Sequence, residues 1–174
     1  SVNTLLTLRQ FKSVLQGHPH REFLPSLETS SGPLGSGLSQ AVGMAIADKR
    51  DFGSSYPRYI YCLLSDGEHN EGQTWEAIML APREKLGNLI TIIDRNYIQI
   101  DGNTEDIMPL DPFDKKYEAF NWHVQKVDGH NIAEIVEAVE KAKAQTEKPS
   151  VIIARTIPGK GVSYMEGKYE WHGT

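Results

Sequence analysis

The chain has 174 residues and a mass of 19.5 kDa, the size of one domain with at most a small appendage. Apolar residues make up 39% and charged residues 24%, and 18 Lys and Arg against 23 Asp and Glu leave a net charge of −5, which disfavours a nucleic-acid partner held by a basic surface. The longest apolar runs have strand length rather than membrane-span length, residues 1–8 lack the pattern of a signal peptide, and the single Cys62 fits a reducing compartment, so a soluble, cytoplasmic domain with no membrane association is expected.

Residues 5–15 carry a short helical pattern, and a loop rich in His, Pro and Ser follows it up to residue 31. The spacing then predicts a helix over 38–49, with Leu38, Val42, Ala45 and Ile46 on one face. A strand follows at 59–64, then a helix over 74–85 carrying Trp75, Ile78 and Met79, with Pro82 placed to shorten or kink it. Further strands are expected at 88–93, 123–127 and 150–154. Between the last two, residues 132–145 read as a helix that starts at Asn131, a good N-cap, and lines up Ile132, Ile135, Val136 and Val139. Residues 159–174 form a polar and aromatic tail with no regular period. Short, nearly continuous apolar strands alternating with helices predict a three-layer α/β/α fold with a mostly parallel sheet, its strands buried on both faces. Nothing before Tyr59 reads as a first central strand, so the sheet is expected to lack an N-terminal part.

Ligands of open α/β sheets bind beyond the carboxyl ends of the strands. Ser65-Asp66-Gly67-Glu68 follows the strand at 59–64, and Asp94-Arg95-Asn96-Tyr97-Ile98 follows the strand at 88–93. Asp66 and Asn96 should therefore emerge at one edge of neighbouring strands. A carboxylate, an amide oxygen and a backbone carbonyl suit Mg²⁺ shared with phosphate oxygens. The plain alternative is an Asp-Gly turn and a loop cap. The Gly-rich run Ser31-Gly32-Pro33-Leu34-Gly35-Ser36-Gly37-Leu38 leads into a helix and can present backbone N–H groups to an anion, or serve only as a loop and helix start. It has neither the Lys of a P-loop nor the strand-first order of a dinucleotide fold. The six histidines, His18, His20, His69, His123, His130 and His172, form no zinc pattern and by default sit exposed or satisfied in loops and strands.

With these residues assembled, the chain resembles the diphosphate-binding domain of transketolases. The thiamine-diphosphate signature, Gly-Asp-Gly followed by Asn, reads here as Ser65-Asp66-Gly67 and then Asn96, 30 residues after Asp66. Further matching stretches are Gly17-His18-Pro19, Gly32-Pro33-Leu34-Gly35, Ala41-Val42-Gly43-Met44-Ala45-Ile46-Ala47, Glu71-Gly72, Trp122-His123-Val124, Val127-Asp128-Gly129-His130, Arg155-Thr156 and His172-Gly173. The resemblance covers nearly the whole chain, so residues 1–174 are expected to be the diphosphate-binding domain of a thiamine-diphosphate enzyme with its N-terminal part missing.

The resemblance implies that Asp66, Asn96 and the carbonyl of Ile98 ligate Mg²⁺ (or Ca²⁺). It implies that Gly67, Glu68, Asn96 and His172 contact the cofactor, and that Gly32, Pro33 and Leu34 line its aminopyrimidine end. His18 and His172 are implied to face the substrate, and Glu71 to link two active sites across a dimer. The implied activity is reversible transfer of a two-carbon ketol unit from a ketose phosphate to an aldose phosphate. No residue here matches the glutamate that activates the cofactor or the histidines of the family's N-terminal segment. A separate pyrimidine-binding subunit or domain is therefore the implied partner, in a dimer or a heterotetramer. Asp101-Gly102-Asn103-Thr104-Glu105-Asp106-Ile107-Met108-Pro109 and Ile157-Pro158-Gly159-Lys160-Gly161 resemble transketolases split into two subunits. A deoxyxylulose-phosphate synthase-like enzyme and an inactive binding or regulatory module of the same fold are the alternatives.

Overall fold

The computed structural model describes residues 2–53 and 58–173. Its centre is a four-stranded parallel sheet of β1 (Ile60–Ser65), β2 (Leu89–Arg95), β5 (His123–Asp128) and β6 (Ser150–Arg155), in the spatial order β1-β2-β6-β5. A two-stranded antiparallel hairpin, β3 (Ile98–Gln99) and β4 (Gly102–Asn103), stands at the carboxyl end of β2. The strand positions agree with the expected ones to within one or two residues, and the α/β architecture is the expected one.

Helix α1 is the single turn Val2–Leu5, and α2 spans Ser36–Phe52. Leu38, Ala41, Val42 and Ala45 form the buried stripe of α2 at helical spacing, facing α3 (Gly72–Arg83) and β1. Pro82 sits in the last turn of α3, where its missing N–H leaves the Ile78 carbonyl without its helical donor, and the Trp122 indole N–H donates to that carbonyl instead (2.8 Å). Two short helices, α4 (Thr104–Ile107) and α5 (Phe113–Ala119), fill the crossover from the hairpin to β5, and α6 (Ile132–Lys143) joins β5 to β6. The Asn131 side chain accepts from the N–H groups of Ala133 (3.1 Å) and Glu134 (3.3 Å), confirming it as the cap of α6.

The main core lies between the sheet and α2, α3 and α5, and includes Leu38, Ile78, Leu89, Ile93, Tyr117 and Trp122. A smaller core on the opposite face gathers Ile90 and Ile152 under Ala138 and Ala142 of α6.

Three expectations are corrected. The helical pattern over 5–15 does not become a helix beyond Leu5; Arg9 and Lys12 adopt positive φ (61° and 66°), and turns replace the periodic ladder. Helix α6 exists, but Ile132 and Val136 are 77% and 56% exposed while the small Ala138 and Ala142 are buried. Close approach to the sheet favours alanine, which rotates the helix away from its largest apolar residues. Finally, β2 and β6 are buried on both faces, whereas the edge strand β1 is covered on one face only, leaving Tyr61 and Leu63 exposed.

Candidate functional site

Parallel register sets the geometry of the site. Ser65 pairs with Asp94, and the Asp66 N–H donates to the Asp94 carbonyl (3.2 Å), so the ends of β1 and β2 turn outward at the same level. Asp66 is fully buried. Its Oδ2 accepts from Arg95 Nη1 (3.0 Å) and from the Tyr97 N–H (2.8 Å). Its Oδ1, equally buried, has no hydrogen-bond partner among the described residues. Burial pushes the Asp66 carboxyl above the usual carboxylate range, with the Tyr97 N–H and the Arg95 charge pulling the other way. A carboxylate held by one oxygen, with the other sequestered and unsatisfied, is electrostatically incomplete and suited to a cation.

Asn96 lies on the same loop. Its Nδ2 donates to Asp94 Oδ2 (3.0 Å), which turns Oδ1 the other way, where it accepts from the Ile98 N–H (3.0 Å) and keeps a second lone pair. Asp94 is itself held by a hydrogen bond from the hydroxyl of Thr156, just past the end of β6. The Ile98 carbonyl is freed by hairpin register. Thr104 N–H donates to the Tyr97 carbonyl (2.9 Å), so Tyr97 and Thr104 form a hydrogen-bonded pair; the next pair, Ile98 with Asn103, is non-hydrogen-bonded, and its carbonyl points out of the hairpin. A side chain on Gly67 would come within 4.0 Å of that carbonyl and 3.4 Å of Gln99 Cβ. Glycine here lets a ligand approach the backbone between Asp66 and the hairpin. Among the described residues no three His, Cys, Asp or Glu side chains gather as a metal site. A hard cation would therefore draw on Asp66 together with amide and backbone oxygens, a set that fits Mg²⁺ or Ca²⁺.

Glu68 lies in the 3₁₀ turn Gly67–Asn70, with Oε2 at 3.4 Å from both the N–H and the hydroxyl of Ser65. Burial raises its carboxyl too, against hydrogen bonds from Ser65 and Gly35. The Gly32-Pro33-Leu34 segment forms an exposed rim of this edge, and the Leu34 carbonyl accepts from the Gln73 amide at the start of α3. Gly35, at φ 79°, packs so closely that a Cβ would lie 2.6 Å from Thr74 Oγ1 and 3.3 Å from Glu71 Cβ. Glu71 itself is exposed in the extended residue before α3. The structure therefore brings the glycine-rich run, Glu68 and Glu71 to the same end of α3.

His18 is exposed and stacks over Gly32, where a Cβ would meet its ring at 3.0 Å; the Ser31 N–H donates to the Pro19 carbonyl (3.0 Å), tying the two loops together. His172 is exposed and follows the 3₁₀ turn Tyr169–Trp171, which packs on β4 and so carries it to the β3–β4 side. His18 and His172 thus stand on different loops, and no direct contact joins either of them to Asp66.

Arg95 is not among the expected site residues. Its guanidinium is buried and donates to Asp66, Thr104 Oγ1 (3.0 Å), Glu105 Oε1 (2.6 Å) and Asp111 Oδ1 (3.2 Å), with its Cζ 4.0 Å from the Tyr97 ring centroid. His69 is likewise outside the expected set. It is buried in an aromatic cage of Trp75, Phe113 and Tyr117, with Nδ1 on the Ser65 and Asp66 carbonyls and Nε2 on the Tyr117 hydroxyl (2.7 Å). Carbonyls only accept, so Nδ1 carries the proton and Nε2 accepts from Tyr117. Burial pushes the His69 pKa down to about 4, so the ring is neutral and acts as a strut under Asp66. The one signal in the sequence for Arg95 is a charged residue in step with the buried Ile93 of β2; His69 carries none.

Comparison with known proteins identifies the family. A family model described as the thiamine diphosphate binding domain of transketolase matches residues 1–174. A 6-deoxy-6-sulfo-D-fructose transketolase subunit from a Clostridium species is 46% identical over 98% of this chain and 61% of its own length. An apulose-4-phosphate transketolase subunit from Actinobacillus succinogenes is 45% identical over 97% of this chain and 59% of its own length. The chain thus spans about three-fifths of the length of these curated relatives. Among solved structures, the transketolase of Campylobacter jejuni superposes with a TM-score of 0.90 at 38% identity, covering 98% of this chain and 27% of that one. The chain belongs to the transketolase family.

Proposed function

We propose that residues 1–174 are the diphosphate-binding domain of a cytoplasmic transketolase that binds thiamine diphosphate with Mg²⁺ (or Ca²⁺) and acts with a pyrimidine-binding subunit or domain, as a dimer or a heterotetramer. The observation that carries this reading is Asp66, fully buried, with one carboxylate oxygen clamped by Arg95 and Tyr97 and the other without a partner among the described residues. Its reaction is reversible transfer of a two-carbon ketol unit from a ketose phosphate to an aldose phosphate. The names of the relatives as subunits of transketolases support a partner chain.

When bound, thiamine diphosphate supplies the nucleophilic carbon that cleaves and re-forms carbon–carbon bonds beside a carbonyl, while the cation offsets the charge of its diphosphate. Asp66, Asn96 Oδ1 and the Ile98 carbonyl hold the cation. Gly67 admits the diphosphate against the backbone, with Glu68, Asn96 and His172 around it, and Gly32, Pro33 and Leu34 line the aminopyrimidine end. His18 and His172 hold or move protons at substrate oxygens near neutral pH. Glu71, at the exposed start of α3, meets the partner across the dimer.

Calorimetry tests this reading. The isolated chain should bind thiamine diphosphate and Mg²⁺ weakly or not at all, and tightly once a pyrimidine-domain partner is added. Tight binding by the chain alone refutes the half-site arrangement. Asp66→Ala should abolish Mg²⁺-dependent cofactor binding, and unchanged affinity refutes the metal assignment. The reconstituted pair should exchange two-carbon units between pentose phosphates; condensation of pyruvate with glyceraldehyde phosphate, with loss of CO₂, would identify a synthase instead.

A further inference from the structure

Two buried side-chain oxygens have no hydrogen-bond partner among the described residues. One, Asp66 Oδ1, is taken up by the cation reading above. The other, Gln99 Oε1, has no role in it. Native structures leave few such atoms unsatisfied, and each calls for a physical account.

The position of Gln99 supplies one. Its backbone is fixed in the β3–β4 hairpin, where it pairs with Gly102. The two residues leading into β3 are pinned in turn, since the Tyr97 N–H donates to Asp66 and the Ile98 N–H donates to Asn96. Gln99 is thus held at the cation side of the hairpin by the same groups that hold the candidate ligands. A Cβ built on Gly67 would lie 3.7 Å from Gln99 Oε1 and 4.0 Å from the Ile98 carbonyl oxygen. Gln99 Oε1 and the Ile98 carbonyl therefore both border Gly67, the residue that follows Asp66 in the chain. Both are lone-pair donors, and Gln99 Oε1, like Asp66 Oδ1, has no hydrogen-bond partner among the described residues. A cation between Asp66 and the hairpin, or water in its shell, would supply the missing positive partner of such oxygens.

We infer that Gln99 is a further ligand-contacting residue, whose Oε1 gives an oxygen to the coordination shell of the divalent cation, directly or through a cation-bound water. This rests on the cation reading of Asp66 and adds a neutral donor to it. One more oxygen matters most for Ca²⁺, which takes six to eight oxygen ligands in flexible geometry, and less for Mg²⁺, which keeps six at short distances.

The test uses the full-length protein with its partner and thiamine diphosphate, Mn²⁺ as the probe, and free Mn²⁺ read by electron paramagnetic resonance. Gln99→Met keeps the length of the side chain and removes the orphaned oxygen; Gln99→Ala is the second variant. Both should weaken Mn²⁺ binding about tenfold or more. Without metal and cofactor, the Tm of Gln99→Met should equal or exceed that of the parent, because no hydrogen bond is lost. Unchanged Mn²⁺ affinity in both variants overturns the inference, as does weaker binding that tracks a fall in the metal-free Tm. Asp66→Asn separates the two readings. If it loses Mn²⁺ binding while Gln99→Met keeps it, the role of Gln99 alone falls. If Asp66→Asn also keeps binding, the cation site itself falls.

Discussion

Replacing Arg95 with methionine keeps most of the side-chain stem and removes the guanidinium from the centre of the site. Asp66 is fully buried and the Arg95 side chain is 2% exposed, at a separation of 3.0 Å. At an effective dielectric of about 20, two unit charges at that separation attract by roughly 5 kcal/mol. Breaking a buried pair on one side costs about 3–5 kcal/mol, because the remaining carboxylate keeps its desolvation without its counter-charge. The Tyr97 N–H still reaches Asp66, and Glu105 keeps its bonds from the Leu110 (3.1 Å) and Asp111 (3.2 Å) N–H groups, so the loop has local support. The expected destabilisation at pH 7 is thus about 3–5 kcal/mol, a large fraction of the stability of an ordinary domain.

The pH dependence carries a sign. Burial already raises the Asp66 carboxyl, and loss of Arg95 raises it further. A carboxyl raised in the folded state is a penalty when ionised, and that penalty fades as pH falls through the raised value. The difference between parent and Arg95→Met should therefore shrink as pH falls from 7 through the raised value. Urea unfolding of the full-length protein, followed by tryptophan fluorescence at several pH values, measures it, with Arg95→Lys expected to be intermediate. A loss below about 1 kcal/mol, or one that does not change with pH, would refute the reasoning.

His69 provides a second titration, of opposite sign. Its folded pKa of about 4 lies below the ordinary 6.5, so its contribution is complete above about 6.5 and is lost as pH falls towards 4, up to roughly 3 kcal/mol. His69→Gln should lower stability at pH 7 and flatten its decline with acid; an unchanged slope contradicts this. Gly35→Ala should lower the Tm by several degrees, because φ is 79° and the new Cβ would sit 2.6 Å from Thr74 Oγ1; an unchanged Tm counts against that packing. The Cys62 thiol, pushed up to about 12 chiefly by burial, should resist iodoacetamide at pH 8 until the protein unfolds, and rapid alkylation of the native state contradicts the assignment.

Much of this architecture was legible along the chain because its signals are local. Ile, Val and Leu runs of strand length marked β2 and β6, and the Asn131 side chain marked the start of α6 where the structure has it. Asp66 and Asn96 follow consecutive strands, and parallel pairing of those strands obliges their carboxyl ends to meet at one edge. Spacing and chemistry pointed there to a cation shared with phosphate oxygens, and the resemblance to transketolases implied the diphosphate. Where periodicity was the sole guide it failed twice. Over 5–15 the apolar Leu6, Leu8 and Phe11 stay exposed, and two residues with positive φ turn the chain instead. In α6 the apolar spacing identified a helix but not the side that meets the sheet, which Ala138 and Ala142 occupy.

Among the described residues the four-stranded sheet carries a hydrophobic core on each face. Local order in the sequence determined which residues become strands, which carboxylate and amide share an edge, and where the backbone must be glycine. The tertiary structure alone decided how Asp66 is held. Arg95 lies 29 residues away, while Glu105 and Asp111 sit in a crossover whose path the sequence leaves open. It also decided that His69 is a buried, neutral strut and that Gln99 Oε1, beside Gly67, has no partner among the described residues. The reason is physical. Hydrogen bonding and charge compensation in a buried site depend on which distant groups the packing brings together, and no period or motif in the chain encodes those distances.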